Sequence, residues 1–223
     1  MAELTIAELI TLIREQADDT VEPYLVPEYF IIQSIDEAQQ QFVEDAIPLT
    51  REFTLAVTAG TSLYPIDELL MKPRFARSSV NKNELRFATL NEIDTTSTTG
   101  FSSAAWRDAT GVPQFIITDE LHGYWRLYPS PAIDDTITVN AFYLPEPVTS
   151  ATDDLSIPAR WHPALVLGAL ARIYGLQDSE VYDPKLQQQS EARWMYAIAR
   201  ARGLIERDTR GAGVVAFNRN GVW

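Results

Sequence analysis

Trp161-His162-Pro163-Ala164-Leu165-Val166-Leu167-Gly168-Ala169-Leu170-Ala171-Arg172-Ile173 is the stretch on which the fold turns. Trp161, Leu165, Ala169 and Ile173 recur at helical spacing, with Val166 and Leu170 beside them. A helix that is apolar nearly all round belongs in the middle of a core, with other helices around it. Gly175 ends it.

Three partners for it can be read from the same chain. Thr5-Ile6-Ala7-Glu8 has the form of a capping box, and Ile6, Leu9, Ile10, Ile13 and Ala17 form one stripe, so a first helix is expected over Thr5 to Ala17. Pro27 opens a second helix with Ile31, Ile35, Ala38, Phe42 and Ala46 on one face, and Pro48 closes it. Pro184 opens the last helix, along which Leu186, Ser190, Ala197, Ile198, Ala201, Leu204 and Ile205 recur. That pattern stops at Arg207-Asp208-Thr209-Arg210-Gly211-Ala212-Gly213, where two glycines argue against further helix. Val214 to Trp223 then reads as a short apolar and basic tail, too short to make a core of its own and suited to another surface.

Between the helix pairs the period changes to two. Phe53, Leu55 and Val57 alternate with Glu52, Thr54 and Ala56. Ile137, Val139 and Ala141 alternate with Thr136, Thr138 and Asn140. Turn signals at Ala59-Gly60-Thr61-Ser62, Asn81-Lys82-Asn83 and Asp119-Glu120-Leu121-His122-Gly123 separate the strands. Leu90 to Asp94 is ambiguous, and Thr95 to Ser103 reads as a polar loop. The fold class expected is α+β: a four-helix bundle, with two helices from each end of the chain, carrying an inserted antiparallel β-sheet or sandwich and an extended C-terminal tail. The boundaries expected are 1–48 and 156–206 for the bundle, 49–150 for the β domain and 207–223 for the arm.

Charge is unevenly placed. The net charge is −13, yet residues 193–223 hold six arginines against two acids, a balance of +4, which leaves −17 on the other 192 residues. An acidic body argues against wrapping duplex DNA. It suits docking of a basic end on an acidic surface of another molecule; the alternative is a basic C-terminus complementing its own helix dipole. There is no cysteine, so disulfides, thiolate metal sites and cysteine nucleophiles are excluded. Neither a secretion signal nor a membrane span of ~18 apolar residues is expected.

The chemistry on offer is poor. His122 and His162 lack a second histidine at metal-ligand spacing and are expected in turn and cap roles. The acidic pairs Asp18-Asp19, Asp134-Asp135 and Asp153-Asp154 are expected on solvated turns. No base–nucleophile pair can be named, and neither enzyme activity nor a cofactor is expected. Tyr124, Trp125 and Tyr128 could instead form an aromatic platform for carbohydrate or nucleic acid, against the competing reading that one face of their strand packs inward.

Taken in order, several short pieces resemble the head-to-tail adaptor (connector) proteins of tailed bacteriophages: Ile35-Asp36-Glu37-Ala38-Gln39, Ala59-Gly60-Thr61, Tyr64-Pro65, Gly111-Val112-Pro113-Gln114-Phe115, Leu127-Tyr128-Pro129-Ser130-Pro131, Phe142-Tyr143-Leu144-Pro145 and Trp161 to Leu170. The resemblance implies a structural virion protein of the neck, assembled in the host cytoplasm into a ring of identical subunits, with twelve the number expected. The partners implied are the portal protein, the tail nozzle or tail tube protein and further copies of itself. Genome DNA passes only as cargo, and no membrane is involved. Portal binding would fall to the C-terminal segment, through Arg200, Arg207, Arg210, Val214, Val215, Phe217, Arg219 and Trp223. A tail-facing or inter-subunit loop would carry Thr95, Thr98, Phe101 and Trp106.

Overall fold

The computed structural model describes residues 4–96, 105–177 and 179–219. The chain forms two compact units, Met1–Leu49 with Leu144–Trp223, and Thr50–Tyr143.

In the first unit, α1 (Ile6–Gln16), α2 (Glu28–Asp45), α4 (His162–Ile173) and α5 (Pro184–Arg219) share one core. The capping box of α1 is present: Glu8 N–H bonds the Thr5 hydroxyl, and Thr5 N–H bonds the Glu8 carboxylate. The side-chain pairs set the helix directions. His162, at the start of α4, meets Leu4, while the Tyr174 hydroxyl, just past its end, donates to the Gln16 carbonyl at 2.8 Å. So α1 runs the same way as α4. Phe42 meets Trp161, Ala38 lies over Gly168, and Glu37 bonds Arg172, so α2 runs the opposite way, as does α5 with Gln187 at Gly175 and Trp194 at Gly168. The expected core shared by helices from both ends of the chain is there.

Gly168 is where three helices come closest. A Cβ there would sit 2.9 Å from Ala38 Cβ and 3.1 Å from the Trp194 ring. Beside it Gln41 Oε1 accepts from Arg172 Nη2 (3.0 Å) and Trp194 Nε1 (3.3 Å), joining α2, α4 and α5 through one acceptor.

The second unit is a seven-stranded sheet in the order β1-β9-β3-β4-β6-β7-β2. The strands are β1 (Leu49–Val57), β2 (Leu63–Pro65), β3 (Leu70–Ser78), β4 (Glu84–Ala88), β6 (Phe115–Leu121), β7 (Tyr124–Tyr128) and β9 (Asp135–Tyr143). The short strands β5 (Thr110–Gly111) and β8 (Ser130–Pro131) pair separately. One expectation is corrected. The sheet is not purely antiparallel, because β4 and β6 run parallel. A parallel pair needs a long crossover, which residues 89–114 supply, including the helix α3 (Leu90–Thr96). The turn at Gly60 joins β1 and β2, which are opposite edges of the sheet. Six inter-strand gaps would span ~29 Å if the sheet were flat. The six Cα steps from Val57 to Leu63 reach only ~20 Å. The sheet must therefore curl, and Phe53 of β1 does meet Trp125 of β7, with ring centroids 6.0 Å apart.

Strand β9 alternates as expected, with Ile137, Val139 and Ala141 buried. Ile137 and Val139 join Trp125, Leu127 and Ile116 on the inner face. Ile117 packs on the other face, where α3 and Trp106 cover it. The positive φ at the β3–β4 turn falls on Lys82 rather than on either asparagine.

Asp153 closes a turn within the strap that leads from β9 to α4. Its carboxylate accepts from the backbone N–H groups of Thr149 (2.8 Å) and Ser150 (2.9 Å), which hold it below the usual carboxylate range. The strap bonds are therefore complete above the unfolded carboxylate value of about 3.9. They are lost only as the pH falls through the lower folded value. In an acid titration followed by NMR, the Thr149 and Ser150 amide shifts should move with a midpoint below that of an unstructured aspartate.

Gly168→Ala is expected to destabilise the protein by about 1–3 kcal/mol despite the better helix propensity of alanine, because Trp194 or Ala38 must move. Chemical denaturation reads this directly.

Candidate docking surfaces of the helical unit

α5 buries Ser190, Trp194, Ile198 and Ala201, one stripe at helical spacing, against α4. The neighbouring stripe, Arg193, Tyr196 and Arg200, is left outside. With Arg160, Pro163, Ala164 and Leu167 from the start of α4, it lines an open cleft of about 530 Å³. The floor is apolar, and Tyr196 stands 71 % exposed at its side. Three guanidinium groups line the cleft and no carboxylate does. The Arg160 guanidinium stacks 5.5 Å from the Trp161 ring, which closes the cleft from below and packs on Phe42. Arginine and tyrosine over an apolar floor are the residue types that carry binding energy at protein interfaces.

At the far end of the unit, the α1–α2 loop is built around one carboxylate. Asp19 is buried and accepts from Arg14 Nη1 (2.8 Å), Leu25 N (2.7 Å) and Val26 N (3.1 Å). Arg14 also donates to the Val26 carbonyl, and its guanidinium lies 3.8 Å from the centre of the Tyr24 ring. This network fixes a loop whose outer surface is apolar: Val21 is 77 % and Tyr29 70 % exposed, with Leu25 exposed between them. Glu15, Asp18, Glu22 and Glu28 surround these residues in the open, and residues 15–29 hold no lysine or arginine.

These details correct the reading of the acidic pairs as solvated. Asp19 is buried against Arg14, and Asp135 is buried and bonded to the Ser78 hydroxyl and Val80 N–H. Of the third pair, Asp153 accepts from Thr149 and Ser150 without being buried, and Asp134, though exposed, accepts from Ala59 N–H at 2.8 Å. Among the described residues no group of three His, Asp or Glu side chains could hold a metal ion. His162 is buried with its ring nitrogens 2.9 Å from the Leu4 carbonyl and 3.0 Å from that of Ile157, a tie between the N-terminal segment and α4.

The residues expected to bind partners are distributed as follows. Arg200 lies in the cleft, and Arg207 is exposed on α5. Arg210, Val214, Val215, Phe217 and Arg219 all belong to α5. The expected extended arm is corrected over 207–219: the chain stays helical to Arg219. Two glycines cost only about 1 kcal/mol each, and no proline blocks the ladder of hydrogen bonds. Trp223 lies outside the described residues, as do Thr98 and Phe101. Thr95 is in the last turn of α3. Trp106 is corrected: it is 3 % exposed, its ring edge-on to Tyr128 at 5.6 Å, and so is core rather than a loop contact. The aromatic platform is corrected for the same reason, since Trp125 is 2 % exposed between Phe53 and Phe87. Sequence reasoning missed Arg160, Arg193 and Tyr196. The i, i+3, i+7 spacing of Arg193, Tyr196 and Arg200 was the available signal.

A family model described as SU10 adaptor protein matches residues 4–218. The chain belongs to this family of phage head-to-tail adaptors, which are structural proteins of the virion. No curated protein matches the chain. The family as a whole associates with portal and tail components. Among the described residues, no helix is long and apolar enough to cross a membrane.

Asp19→Ala strands Arg14 in a buried site and leaves two backbone N–H groups without their acceptor. Breaking such a pair is expected to cost about 3–5 kcal/mol, read by urea denaturation, with the loop amides of Leu25 and Val26 losing hydrogen-exchange protection first.

Proposed function

We propose that the protein is the structural link between head and tail. Copies of the chain assemble as a ring below the portal, twelve being the number expected, dock to the portal through the end of α5, and offer the opposite surface to the tail nozzle or tail tube. The role needs no catalysis. The observation that carries the reading is the family match over 4–218, joined to the length of α5. α5 has 36 residues where its packing partner α4 has 12. At 1.5 Å per residue these are about 54 Å and 18 Å. Among the residues of α5 whose burial is described, Ile205 is the last that packs against the core. Beyond it the helix carries Arg207, Arg210 and Arg219 together with Val214, Val215 and Phe217, a basic and apolar segment on a chain of net charge −13. A helix end of that composition is suited to a groove on another protein with acidic walls. The acidic body lets duplex DNA pass without holding it, because like charges repel along the conduit.

Deleting Arg210 to Trp223 takes the last ten residues of α5 and none of the core residues among those whose burial is described, so the truncated chain should keep the unfolding midpoint of the full chain and lose only the helical circular dichroism of the deleted segment. It should no longer sediment with tail-less, portal-bearing heads. Truncated protein that still joins heads to tails would refute the docking role of α5.

A further inference from the structure

We infer that the α1–α2 loop of one copy seats in the arginine cleft of the next, and that this is the contact that repeats around the assembly. The inference rests on the reading of the chain as a ring-forming adaptor and adds the two surfaces that meet.

The two surfaces match in character. The cleft is concave, apolar at its floor and rimmed by Arg160, Arg193 and Arg200 with no carboxylate. The loop and the first turn of α2 expose the apolar Val21, Leu25 and Tyr29 among exposed acids, and residues 15–29 hold no lysine or arginine. An apolar group in an apolar cleft with opposite charges at the rim gains both burial and register. The loop is also held in shape in the free chain by Asp19 and Arg14, so little ordering is needed on binding.

Their placement rules out a contact within one chain. The loop follows Gln16, whose carbonyl is bonded by Tyr174 at the end of α4, whereas the cleft is built at the start of α4 around Trp161 and Pro163. The 12 residues of α4 separate them by about 18 Å. Two different, complementary patches at opposite ends of one rigid unit make a head-to-tail contact, and a head-to-tail contact closes into a ring when its rotation allows. On this assignment Arg200 serves the neighbouring copy, and portal docking falls to α5 from Arg207 onward.

The chain has no cysteine, which makes the test clean. Thr20→Cys places a thiol at the rim of the loop and Ala192→Cys one at the rim of the cleft; both positions are exposed and neither supplies a charge or apolar anchor. The two full-length variants are mixed and treated with a short bismaleimide, once as concentrated free protein and once bound to portal-bearing heads. A Thr20→Cys–Ala192→Cys cross-linked dimer in either arm is expected, with the yield falling about tenfold or more when Arg193→Glu and Arg200→Glu are added to the cleft partner. No mixed dimer in either arm, a yield indifferent to those charge reversals, or Ala192→Cys coupling to a head protein instead would overturn the inference. Binding of the wild-type chain to heads is scored separately. Heads bound without the cross-link sink the loop-and-cleft contact alone, and a cross-link without head binding sinks the adaptor reading alone.

Discussion

The close approach of α2, α4 and α5 at Gly168 is the constraint on which the helical unit depends. Helices that pack with Ala38 Cβ and the Trp194 ring against a bare Cα lie nearer than larger side chains allow. That proximity lets Gln41 serve Arg172 and Trp194 at once and lets Phe42 stack against both Trp161 and Trp194. The outward stripe of α5 then falls beside the start of α4, and the cleft follows from that placement. The cleft is a by-product of how the core is closed.

Much of this was legible in the sequence for a physical reason. The capping box of α1, the apolar circumference of α4 and the alternation of β9 are local patterns, each decided by residues within a turn or two. What escaped was set by residues distant in the chain. The parallel β4–β6 pair depends on a crossover of residues 89–114 whose helix is short and weakly patterned. The placement of β1 and β2 at opposite edges depends on closure of the whole sheet, although a glycine turn between two strands usually signals a hairpin. Asp135 reads as a solvated turn residue because nothing local shows that Ser78, 57 residues away, will reach it; Asp19 is the exception, since Arg14 stands only five residues before it. The end of α5 was misread because two glycines were weighed as breakers when they are only weak helix formers.

The candidate site was half legible. The basic C-terminal end stood out in the charge distribution, and Arg200 was among the residues named. Arg160 was not, because it enters the cleft from a different element, across a contact that no spacing rule anticipates. Trp106 and Trp125 show the converse: large aromatics in polar or hairpin surroundings suggested partner contacts, and both were taken up by the two faces of the curled sheet.

The family match and the basic and apolar composition of α5 beyond Ile205 support the proposal of a part held between neighbours. The central claim is that α5 beyond Ile205 belongs to another molecule's surface. Electron microscopy of assembled virion necks at side-chain resolution tests it directly. The account predicts that in every copy the helix from Arg207 to Arg219 is buried against a chain other than its own. The same segment lying on its own subunit, touching no other chain, would contradict it.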